Sequence, residues 1–350
     1  MYGGEYHNNL YHLIVAVYMD HQDYLDSIDI DLSHQNATEV HQYLQKHAGD
    51  PTILEYRGLE EIAFEVGSAF ETAKDYKQLA ELLQLLQASY PEVYNKEKGY
   101  LTSYLMEEYL RRGDWAAFEE AWDAVTIGYH DLDILMPFFE RLIVERRTDL
   151  LKLYLARELD AIISSGKFTP WALNELANYW INLRSEDLWH GRIDFNAFRD
   201  DLQQRDIHLV EGAAERLRQP ALPDPEPFQT NQEAYLRNLE VYLRYRLTLD
   251  HGVPVLTSSH LLNPWWEFME PQKALTATAY LRLNDRKFQE YLQNWARKED
   301  DRPRQVMPLV DVLTSVYEIL GAGGLFPGAG ASVELGKVRG LRQRLGKKFS

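Results

Sequence analysis

Three segments in the first half of the chain begin alike: Asp75-Tyr76-Lys77-Gln78-Leu79, Asp114-Trp115-Ala116-Ala117-Phe118 and Asp149-Leu150-Leu151-Lys152-Leu153. The second start lies 39 residues after the first, the third 35 after the second. Each segment opens a helix, with apolar residues following at helical spacing, and another helical pattern precedes it. A period of this size is that of a helix-turn-helix module, which buries its apolar face only against its neighbours. The expected fold is therefore all-α: a superhelix (solenoid) of antiparallel helix pairs, with an irregular helical insertion at about 185–270, where the regularity fails.

Composition agrees with a packed chain. Of 350 residues, 45% are hydrophobic and 26% charged, which argues against wholesale disorder. The chain has no cysteine, which excludes disulfides, thiolate metal sites and cysteine nucleophiles. The N-terminus lacks the basic stretch of a secretory signal, and the apolar run Leu13–Val17 is too short to span a bilayer, so a cytoplasmic protein is the simplest reading. The net charge of -17 argues against nucleic-acid binding by the body of the chain.

Punctuation divides the sequence. Residues 1–50 read as N-terminal helices around an acidic, His-rich segment. Asp50-Pro51 opens a helical-repeat domain over 51–219, with apolar stripes such as Leu59, Ile62, Val66 and Phe70, and Thr169-Pro170 opens another helix within it. Leu59, Phe70, Phe118, Trp122, Phe139 and Trp180 are its expected core. Pro220, Pro223, Pro225 and Pro227 predict an extended linker over 220–229. A C-terminal helical domain follows over 230–320, opened by the capping box Thr230-x-x-Glu233 and irregular over 251–270. Residues 321–350 read as a Gly-rich flexible joint and a mobile basic amphipathic tail helix.

At Gly113-Asp114-Trp115-x-x-Phe118-x-x-x-Trp122-x-x-Val125 the chain resembles the second helix of a tetratricopeptide repeat, with Leu105 and Tyr109 at apolar and aromatic positions of the first helix. The preceding module matches in part through Val66, Gly67, Phe70, Tyr76 and Pro91. Phe118 and Leu79 stand where that family usually has Ala. The resemblance covers about residues 55–165. It implies a protein- or peptide-binding scaffold with a concave groove.

Candidate sites are few, and no catalytic signature appears. Asn174, Asn178 and Asn182 recur at i, i+4 and i+8, a ladder of amide donors and acceptors suited to gripping an extended peptide backbone; a polar outer face is the plainer explanation. Lys337, Arg339, Arg342 and Arg344 give the last helix a basic side. That helix could dock on the acidic body, on a partner protein, on nucleic acid or on a membrane surface. His21, Asp29, Asp31 and His34 are the candidate metal ligands of an alternative, enzymatic reading, although their spacing matches no known ligand pattern. Trp265-Trp266, with His260 and Glu267, could line a small pocket or simply pack between helices. No cofactor is expected. The expected function is that of a scaffold or adaptor subunit binding a protein or peptide partner.

Overall fold

The computed structural model describes residues 25, 34–56, 58–272, 274–299 and 302–349. Among the described residues the chain is all-helical, with 17 α-helices, one 3-10 turn and no strand. It divides into two compact units, residues 1–135 and 136–350.

The first unit carries α1 (His34–Lys46), α2 (Pro51–Leu54), α3 (Leu59–Thr72), α4 (Tyr76–Ser89), α5 (Pro91–Arg112), α6 (Trp115–Thr126) and the start of α7 (Leu132–Val144). Sequential helices α3 to α6 pack on one another, and α3 also packs on both α1 and α5. The close approach of α3 to α5 requires Gly67: a Cβ there would lie 2.2 Å from Leu101 Cδ2. Ile62, Val66, Phe70, Leu79, Leu82, Leu86 and Leu101 fill the shared core.

The repeated starts share one turn. Lys74, Gly113 and Arg146 each adopt a left-handed conformation, with φ of 59°, 69° and 61°. The next residue's N–H then donates back five residues: Asp75 to Phe70 O, Asp114 to Tyr109 O and Arg147 to Leu142 O. This is the Schellman closure, which satisfies the last carbonyls of one helix while aiming the next. Asp75 and Asp114 cap α4 and α6, accepting the N–H groups of Gln78 and Ala117 at 3.1 and 3.2 Å. The third segment also opens a helix, but without an aspartate cap. Arg147 holds the cap position of α8 (Thr148–Ser165), and Asp149 lies in its first turn, where the helix dipole favours an acid.

The second unit continues with α8, α9 (Pro170–Trp189), α10 (Phe195–Gln204), α11 (Ala213–Arg218), α12 (Gln232–His251), α13 (Val255–Met269), α14 (Ala277–Tyr280), α15 (Asp285–Trp295), α16 (Arg302–Ala322) and α17 (Gly330–Phe349). Its main core joins Leu239, Leu243, Leu261, Trp265, Phe288, Leu313, Tyr317, Val338 and Leu341. The six core residues expected above are all buried, none more than 3% exposed.

Four expectations need correction. Residues 255–269 form a continuous helix, with Pro264 inside it, because Leu261, Leu262, Trp265 and Met269 enter the core and offset a proline cost of about 3 kcal/mol. The N-cap of α12 is Asn231, not Thr230, and accepts the Ala234 N–H. The Pro-rich segment 220–229 lies inside the second unit, with Phe228 buried in its core. The glycines at 321–330 serve close packing rather than a free joint: Gly321 faces Ala331 at 2.8 Å from a would-be Cβ, and Leu325 and Phe326 are buried.

Candidate partner-binding face

Helix α9 presents the Asn ladder. Thr169 Oγ1 accepts the Ala172 N–H at 3.3 Å and Pro170 follows at the first helical position, so the helix start is fixed. Leu176, Tyr179, Trp180 and Leu183 face the interior. The outer face carries Trp171, Asn174, Asn178 and Asn182 at spacings of three and four, one side of the helix. Trp171 is 69% exposed, and Asn174 and Asn178 are exposed with no side-chain hydrogen bond among the described residues. Asn182 closes the row differently. Its amide donates to Asn178 O at 2.8 Å, and its carbonyl oxygen accepts from Arg244 Nη1 of α12 at 3.1 Å.

A charge network braces this helix from behind. Asp187, 2% exposed, receives Lys152 of α8 at 2.5 Å, Arg184 at 2.6 Å and Arg192 at 2.7 Å. Burial opposes its ionisation, but the hydrogen bonds and charges of Lys152 and Arg192 outweigh burial and hold the carboxyl below its ordinary range. Arg184 continues to Asp201 of α10 at 3.1 Å, and Asp201 also accepts the indole N–H of Trp180 at 2.8 Å. The Arg205 guanidinium lies 4.6 Å from the Trp180 ring centroid and pairs with Asp160 at 2.7 Å. Sequence reasoning missed this cluster. Lys152 is 35 positions from Asp187, and only the packing of α8 on α9 joins them.

The basic side of α17 is mostly spent within the chain. Lys337 pairs with Glu334 at 2.7 Å, Arg342 with Asp311 at 2.5 Å and Arg344 with Asp285 at 2.7 Å. Buried Glu334 also accepts the Leu283 N–H at 3.0 Å. Val338, Leu341 and Leu345 are fully buried, so the expected mobile tail is a packed core helix with no apolar stripe left for a bilayer. Arg339 is exposed and has no partner among the described residues.

Of the candidate metal ligands, His21, Asp29 and Asp31 lie outside the described residues. His34 opens α1, and its side chain is not among those described. Among the described residues no group of three or more His, Asp or Glu is placed to hold a metal. Trp265 is buried in the core, while His260 pairs with Gln305 at 3.1 Å, and desolvation holds its imidazole below the usual histidine range despite that bond. Among the described residues no helix is long and apolar enough to cross a membrane.

No protein-family model, no curated protein and no solved structure matches the chain.

Proposed function

We propose that this protein is a scaffold or adaptor subunit of a larger cytoplasmic assembly, built of stacked helix pairs in the manner of tetratricopeptide solenoids. It binds an extended segment of a partner along the outer face of α9. The packing of α3 against both α4 and α5 supports stacked pairs as the building plan. The observation that carries the binding reading is Trp171, a large aromatic left 69% exposed at the head of an aligned row of amides. An exposed tryptophan beside exposed amides suits an interaction surface, where the ring supplies area and the amides supply direction.

Affinity purification of the wild-type chain and of a W171A/N174A/N178A variant tests this. All three side chains are exposed, so the variant should fold and melt as the wild type does. A partner held stoichiometrically by the wild type should be lost by the variant. Retention of the same partner at the same yield would remove α9 as the binding face.

A further inference from the structure

Helices α15 and α17 together hold eight Lys/Arg against three Asp/Glu, in a chain of net charge -17. They pack on each other, and Arg344 of α17 clasps them. Its Nε donates to Gln289 Oε1 at 2.6 Å and its Nη2 to Asp285 Oδ2 at 2.7 Å. The third nitrogen, Nη1, lies over Gly340 and has no hydrogen-bond partner among the described residues. Arg344 is thus a guanidinium fixed at two nitrogens and open at the third, on a side chain still 40% exposed.

Further cations border this clasp. On α17, Gly340, Arg344, Lys347 and Lys348 follow at i, i+4, i+7 and i+8 and so share a face. On α15, Arg286 lies three positions before Gln289 and borders the side that meets Arg344. Arg286, Lys347 and Lys348 are exposed, with no hydrogen bond or ion pair among the described residues. Helix stability accounts for only some of them. Lys347 and Lys348 complement the C-terminal dipole of α17, but Arg286 and Lys287 stand in the first turn of α15, where the dipole opposes a cation. A local cost without a compensating pair is expected where residues serve a partner. From Gly340 to Lys348 the face runs about 12 Å, the length of three to four residues of extended chain. Carboxylates fit it, through a charge-assisted bond from the open guanidinium edge and attraction to the flanking cations. The acidic body of the chain opposes so extended a polyanion as nucleic acid, and the apolar side of α17 is buried and cannot enter a bilayer.

We propose that the basic face where the first turn of α15 meets the second half of α17 docks a short acidic segment of a partner protein, its carboxylates shared among Arg344, Arg286, Lys347 and Lys348. This face stands on residues other than the exposed row of α9, so either can fail without the other. A rhodamine-labelled hexaglutamate peptide, titrated by anisotropy at low salt, tests it. The R286Q/K347Q/K348Q variant should bind about five- to twentyfold more weakly, the effect of removing three exposed charge pairs. A K46Q/K77Q/R112Q variant makes the same charge change at exposed positions of the first unit and should bind as the wild type does. Equal weakening in both variants would reduce the effect to overall charge and overturn the proposal, as would no weakening in either. Tighter binding to phosphatidylserine vesicles or to a single-stranded oligonucleotide than to the peptide, with the same dependence on the three cations, would overturn the acidic segment in favour of a phosphate-bearing partner.

Discussion

Asp187→Asn removes the charge on which three cations converge. The carboxylate is held by Lys152, Arg184 and Arg192 at 2.5, 2.6 and 2.7 Å, and their side chains are 33, 17 and 50% exposed. Those exposures set the magnitude. Lys152 and Arg192 can turn toward water, so each interaction contributes no more than about 1 kcal/mol. Arg184 is the least exposed and is tethered to Asp201, so its charge-assisted bond contributes about 1.5–3 kcal/mol. An Asn in this cage must also point N–H groups at cationic donors. The expected loss is about 2–4 kcal/mol, against no more than about 1 kcal/mol for Arg192→Ala. Urea unfolding at pH 7 and at pH 3 measures it. Asp187 is depressed in the fold, so its stabilisation is present above the ordinary aspartate value of about 3.9 and is lost as pH falls through the folded value. The gap between wild type and variant should therefore be wide at pH 7 and narrow as pH drops below about 4. A loss under about 0.5 kcal/mol at pH 7, or a gap unchanged at pH 3, would refute the reasoning.

Three further outcomes follow from the packing. Gly67→Ala should cost about 1–3 kcal/mol by chemical denaturation, since the added methyl meets the buried Leu101 side chain at 2.2 Å; a neutral result would mean that α3 and α5 separate freely. Arg146→Gly should stabilise by about 0.5–1 kcal/mol in the same assay, because glycine relieves the left-handed strain at φ 61°, and destabilisation would place the residue in a contact that matters more. Trypsin should spare α17 equally at low salt and at 1 M salt, where the screening length falls to about 3 Å, because Val338, Leu341 and Leu345 hold it by burial; release at high salt would make its ion pairs the anchor.

What the sequence reveals of this fold follows from the range of the interactions involved. Asp75, Asp114, Asp194, Thr169 and Asn284 act as caps within three residues of themselves, and each is legible as a polar residue before an apolar stripe. Helix α13 is hidden by Pro254, Pro264 and paired tryptophans, whose local message is a break. Burial in a core assembled from residues up to 345 overrides it. The glycines at 321–330 have the composition of a flexible joint, but the same composition serves where two helices touch, as Gly321 does at Ala331. The Asn row was visible from its period alone. Its capture of Arg244, 62 positions beyond Asn182, and the charge cage behind it belong to the tertiary structure.

The binding face of α9 is tested most directly by site-specific photocrosslinking in cells. A photoreactive phenylalanine analogue placed at position 178 should yield one discrete adduct with a partner protein, and the same analogue at exposed position 87 of the first unit should not. The adduct should disappear when Trp171→Ala is added. No adduct at 178, or an adduct at 178 and 87 alike, would contradict the account.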